Sequence, residues 1–184
     1  VGFSGYRSAS TRVQSEAVTQ EVSQRLDAVV QWAGLTETNA VRTLALVLSD
    51  EPEVQTEFKD AIAATSTKIS EVQKSLEAMP LLDREKAQMD KIAAARKNMA
   101  AQRDQARKLK ADGQGEQAVA FVRQSYNPAS AAYLQTLHDF VLLEKQIMLE
   151  TREQLGRDGM TTVKMAGGAV GALLLAIIVG AYYL

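Results

Sequence analysis

The chain has 184 residues, with 21 Lys plus Arg against 22 Asp plus Glu, a formal net charge of −1, no cysteine and a single histidine. A balance this close to neutral leaves no electrostatic footprint for nucleic acid, and the lack of cysteine excludes a disulfide framework and a thiolate metal site. One histidine, His138, excludes a His-rich metal cluster.

The chain opens on Val1 rather than Met, and VGFSGY reads like the tail of an apolar segment, so an excerpt from a longer protein is expected. From about residue 7 to residue 49 there is no proline, and Val18, Val22, Leu26, Val29, Trp32, Leu44 and Leu48 recur at helical spacing. This predicts one long helix, with Gly34 as an interior weak point. Ser49-Asp50-Glu51-Pro52 joins cap-type residues to a proline suited to a first turn, so a second helix starts at Pro52. It carries Val54, Phe58, Ala61, Thr65, Ile69, Val72 and Leu76 at alternating spacings of three and four and ends at 79, before Pro80. A third helix is predicted over 82–111, closed by Asp112-Gly113-Gln114-Gly115. A fourth spans about 116–164, with a kink or fresh start at Asn127-Pro128.

Met165 to Leu184 contains no charge over twenty residues. As a helix it is ~30 Å long, which matches the hydrocarbon thickness of a bilayer, so 165–184 is expected to be a transmembrane helix. Gly167, Gly171 and their small neighbours give it a close-packing face, and Tyr182 and Tyr183 suit an interface. The roughly 164 residues before it suffice for one domain with its own core. Four helices joined by tight turns must alternate in direction, so the fold class is all-α: an antiparallel up-down four-helix bundle in residues 1–164, followed by the span.

The third helix carries the chemistry. Its stripe reads Met89, Ile92, Arg96, Met99, Arg103 and Ala106, placing two arginines between apolar positions. Seven residues apart, they lie about two turns or ~10 Å from each other and point the same way. A guanidinium keeps its charge at neutral pH and presents a fork that fits carboxylate or phosphate, and burying it without an anion is costly. Counting from the turns, Arg96 is sixteen residues after Pro80, Thr65 fifteen before it, and Tyr133 eighteen after Gly115, so the three share one layer with Trp32 and Thr36 nearby. The expected site is therefore an anion held by Arg96 and Arg103, with the hydroxyls of Thr65 and Tyr133 orienting it. Two alternatives remain: the stripe turned by one position, with Ala95 and Gln102 inward, or an internal carboxylate such as Glu144 or Glu116 pairing the arginines. Arg42 and Arg123 read as surface charges, His138 beside Asp139 as a solvated histidine, and Trp32 as a core anchor. No nucleophile lies beside a base and no phosphate loop follows a strand, so neither an enzyme nor a cofactor is expected.

A long first helix, a bundle and a long last helix running into a span together resemble the periplasmic sensor region of bacterial methyl-accepting chemotaxis receptors. The resemblance implies a homodimeric inner-membrane receptor with its sensor in the periplasm, and a cytoplasmic part that contacts signalling proteins. It also implies a small organic acid as ligand, such as malate, citrate or aspartate, held by arginines, here Arg96 and Arg103. In the aspartate type the arginines lie on the first helix across the dimer interface, a role only Arg42 matches. Arg152, Arg157 and Lys164 precede the span, a placing that the positive-inside rule gives to the cytoplasm, whereas the resemblance implies the periplasm. A sensor histidine kinase input domain and a membrane-anchored helical scaffold are the competing readings.

Overall fold

The structure, a computed structural model, describes the backbone of residues 2–49 and 51–182, and the side chains of residues 13, 15–49, 51–157, 159 and 160. Five α-helices and one π-helical turn account for most of it: α1 (Gly2–Leu48), α2 (Pro52–Glu77), α3 (Asp83–Ala111), α4 (Gly115–Phe121), the π turn (Val122–Tyr126) and α5 (Asn127–Tyr182). There is no strand among the described residues. The expected fourth helix is thus α4, the π turn and α5 in succession. The membrane span expected over 165–184 lies outside the residues whose side chains are described, and among the described residues no helix is long and apolar enough to cross a membrane.

The chain packs as two compact units, one formed by residues 22–145 and the other by 1–21 with 146–184. In the second unit the described side chains make local helical pairs, such as Gln146 Nε2 donating to Glu150 Oε1 at 2.8 Å. The unit of residues 22–145 is the bundle proper.

Local chemistry sets the helix ends. Pro52 occupies the start of α2, where its missing N–H costs no hydrogen bond. The α1 terminus exposes carbonyls that need donors, and Gln55 Nε2 supplies them, reaching Leu46 O at 2.8 Å and Ser49 O at 2.9 Å. Lys110 Nζ donates to the same two carbonyls from α3, a cation suited to the negative end of the helix dipole. At the end of α3, Gly113 adopts φ 76°, a left-handed conformation that costs glycine little. Gln114 N–H then reaches Leu109 O at 2.9 Å and Gly113 N–H reaches Lys110 O at 3.1 Å, the paired bonds of a Schellman cap.

Pro128 does not break the last helix. It has no N–H for the carbonyl four residues back, so the backbone takes a wider π turn just ahead, in which Asn127 N–H bonds to Val122 O. That turn brings both Val122 and Tyr126 into the interior.

Cross-helix bonds fix the register. Leu46 pairs with Gln55, Arg42 with Ala61 and Thr65, and Asn39 with Ile62 and Ser66, so α1 and α2 run antiparallel. Between α1 and α3 the linked pairs are Arg25 with Glu85 and Lys110 with Leu46, which rise together and make those helices parallel. Two apolar clusters fill the bundle. One contains Val29, Trp32, Ile69, Leu76, Ile92, Leu137 and Phe140; the other contains Val47, Ala106, Val122 and Tyr126. Trp32, Leu76, Ile92, Leu137 and Phe140 are all fully buried, and each contributes about 1.5–3 kcal/mol of burial. Met99 packs against both clusters, and the cavity described next lies between them.

Candidate functional site

Where the two apolar clusters meet, the inward residues become small or polar, and close packing lapses into a cavity of about 80 Å³. All four walls of the bundle contribute. From α1 come Thr36, Asn39 and Thr43, from α2 Ser66, from α3 Arg96 and Arg103, and from the last helical stretch Tyr126, Ser130 and Tyr133. Ile62, Ile69 and Met99 supply apolar lining. The spacing explains the convergence: Thr36, Asn39 and Thr43 are three and four apart, Arg96 and Arg103 seven, and Tyr126 and Tyr133 seven, so each set faces one way on its helix.

Three of the four residues expected from the sequence, Arg96, Arg103 and Tyr133, line this cavity together. Thr65 is buried one step aside. Its hydroxyl accepts from Arg42 Nη1 at 2.8 Å and donates to Ala61 O at 2.8 Å, so it braces α1 against α2. Arg42 is accordingly half-buried and bonded within the chain, differing from the surface charge expected of it. Arg123 and His138 are exposed, and Trp32 is a core anchor.

The arginines are held by weak competitors. Arg96 Nη1 donates to the neutral Gln73 Oε1 at 2.6 Å. Arg96 reaches Gln73, two turns closer to the α2–α3 turn than Thr65, because side chains lean toward the N-terminus of their own helix and α3 begins at that turn. Arg103 pairs with its neighbour Asp104 at 2.8 Å, and the Asp104 side chain is 62% exposed. The hydrogen bond from Arg103 holds the Asp104 carboxyl below its ordinary range, with the nearby charge of Arg107 adding to it. Arg107 follows Arg103 by one turn, and burial together with the Arg103 charge lowers its pKa. Guanidinium groups this close repel each other, so the α3 wall carries a positive potential that favours an anion.

The hydroxyl side of the cavity is drier. Tyr133, Thr36, Thr43 and Ser130 are buried, and burial raises the pKa of the Tyr126 phenol, while the neighbouring Ser130 and Thr43 hydroxyls oppose the rise. Asn39 Nδ2 donates to Ile62 O at 3.3 Å and to Ser66 Oγ at 3.1 Å. The site thus juxtaposes two cations with hydroxyl and amide groups, an arrangement suited to holding an anion. Sequence reasoning missed Asn39, Thr43, Ser66, Tyr126 and Ser130. The polar stripe 36-39-43 and the tyrosine pair at two-turn spacing were the available signals. Glu144, considered as a partner for these arginines, is instead paired with Arg25.

Residues 1–154 match the family described as a four helix bundle sensory module for signal transduction, and the chain belongs to it. A solved structure described as the periplasmic sensor domain of a sensor histidine kinase shares the fold, with a TM-score of 0.62 at 17% identity, covering 77% of this chain and 95% of that one. No curated protein matches the sequence.

Proposed function

We propose that the chain is the sensor region of a bacterial inner-membrane receptor of the methyl-accepting chemotaxis type, and that it binds a small organic acid in the cavity between α1, α2, α3 and α5. The observation that carries this reading is the convergence of Arg96 and Arg103 with Tyr133 and a set of hydroxyls in one partly enclosed cavity within a sensory-module fold. A di- or tricarboxylate such as malate or citrate exchanges the neutral Gln73 and the solvated Asp104 for a charge-assisted, bidentate partner. Tyr133 then orients the second polar end, and Thr65 acts through Arg42 on the α1 wall. At about 80 Å³ the cavity is small for such an acid, so binding requires the two arginines to swing and the walls to part slightly. The energy difference between the parted and closed packings is what would be transmitted, as a small displacement of α5 relative to α1.

In this reading the bundle is periplasmic, residues 165–184 form the second span, the receptor works as a homodimer, and a cytoplasmic part beyond the chain engages signalling proteins. No cofactor takes part. A second reading, the input domain of a sensor histidine kinase, is favoured by the structural neighbour, itself a sensor domain of such a kinase. The amino acids following Leu184 separate the two.

A thermal-shift screen of the chain in detergent against malate, citrate, succinate, aspartate, phosphate and neutral controls tests the site. Ligand at about 100 times its Kd stabilises by about 2.7 kcal/mol, a shift of several degrees. A shift with one acid that is lost in Arg96→Ala and Arg103→Ala supports the pocket. No shift with any acid points to a protein-binding scaffold.

A further inference from the structure

Near the α2–α3 turn, away from the cavity, three ionisable side chains are sealed together. Arg25 on α1 is 4% exposed, and Glu85 on α3 and Glu144 on α5 are 0% exposed. Arg25 Nε lies 3.0 Å from Glu85 Oε1 and 3.7 Å from Glu144 Oε2. Arg25 Nη1 also reaches the Pro80 carbonyl, at 3.5 Å. Glu85 has a further donor, since its Oε2 accepts the Leu82 backbone N–H at 2.6 Å, reaching back from the first turn of α3.

Two carboxylates and one guanidinium in a dry site sum to a net negative charge if both acids ionise, and the interior disfavours that state. Keeping one proton makes the cluster neutral. Glu85, with its nearer guanidinium and its backbone donor, is the better placed anion, which assigns the proton to Glu144. Burial first, and then the hydrogen bond and charge of Glu85, push the Glu144 carboxyl up to about 8, against the pull of Arg25. The α2–α3 turn faces the cluster with the Pro80 carbonyl, which does not titrate. On its other side α3 is tied to α5 by Gln88 Nε2, which donates to Thr136 O at 2.7 Å.

We propose that the module has a second input, the proton: Glu144 binds and releases H⁺ within the Arg25–Glu85–Glu144 cluster, and the release loosens the junction of α1, α3 and α5. The balance is simple. With the proton bound, Glu144 donates to Glu85 and Arg25 neutralises the pair. With it released to solvent, two buried carboxylates repel around one guanidinium and the junction relaxes. Trp32 stands seven residues, or two turns, beyond Arg25 on the same face of α1, inside the adjoining core. A rearrangement at the cluster therefore reaches that core. This inference is independent of whether the cavity holds an acid.

Trp32 is the only tryptophan in the chain, so its emission reports on this core alone. The experiment is a pH titration of tryptophan emission for the chain in detergent micelles, from about pH 6 to about pH 9, below the range in which ordinary tyrosines titrate. Wild type should show a one-proton transition centred near 8, and Glu144→Gln, which mimics the protonated acid, should stay flat. No transition in wild type, or the same transition in Glu144→Gln, overturns the proposal. Should the variant fail to fold, carboxyl ¹³C shifts of the wild type labelled at glutamate decide the matter. One resonance titrating far above the rest supports the proton site, and all resonances titrating in the ordinary glutamate range refute it.

Discussion

The bundle contains two polar layers built on opposite principles. In the Arg25–Glu85–Glu144 cluster, charges of both signs are sealed from solvent and answer one another, tying three helices together. In the cavity layer the two arginines are held by a neutral amide and an exposed carboxylate, and the opposite wall offers hydroxyls. The first arrangement fixes the bundle and responds to protons. The second leaves positive charge beside an incompletely filled space, where an anion is the natural complement. Buried polarity thus separates into a structural kind, paired by charge within the chain, and a receptive kind, held only provisionally.

The sharpest way to break that contrast is Arg25→Ala, which leaves the buried Glu85 carboxylate and the acid Glu144 without their cation and should destabilise the fold by about 3–5 kcal/mol in urea denaturation. A loss under about 1 kcal/mol would place the cluster in the exposed, weakly coupled class. Comparable in size is the pH dependence. The folded pKa of Glu144 lies above its unfolded value, so its contribution is fully present below about 4.5 and is lost as pH rises through about 8. Stability should fall by up to about 1.4 kcal/mol per pH unit across that window, and Glu144→Gln should remove this slope. Equal slopes in both proteins would contradict the assignment.

The cavity predicts the reverse pattern. Arg96→Ala should alter the stability of the unliganded chain by no more than about 1.5 kcal/mol, yet abolish the ~2.7 kcal/mol gained at about 100 times Kd of the acid. A large loss without ligand would mean that Arg96 is structural after all. Smallest is Asp104→Ala, which removes a surface pair and should change stability by no more than about 1 kcal/mol while leaving Arg103 freer for the acid. Acid affinity should therefore hold or rise, and a marked fall would show that Asp104 positions Arg103 for binding.

Much of this was legible in the sequence. Pro52, Pro80 and Gly113 mark the turns because their backbone constraints are local, and the structure places helix ends within a few residues of them. The arginine stripe of α3 was legible because periodicity reports which residues share a face. The partner of each was not. Arg96 was expected level with Thr65 but leans to Gln73, and Thr65 is taken by Arg42, because a long side chain reaches a level set by its rotamer and its neighbours. The Asn127-Pro128 signal announced an irregularity, and the chain resolved it with a π turn rather than a break.

The helices, their order and their alternation follow from the amino acids alone, since propensity, capping and apolar period act over a few residues at a time. The same holds for the two arginines on one face of α3. Folding in three dimensions was needed to bring Arg25, Glu85 and Glu144, far apart along the chain, into one dry cluster, and to bring Thr36, Asn39 and Thr43 of α1 into one cavity with Arg96 and Arg103 of α3. Those outcomes depend on helix rotation and register, which are set by the packing of the whole bundle and leave no local trace in the chain.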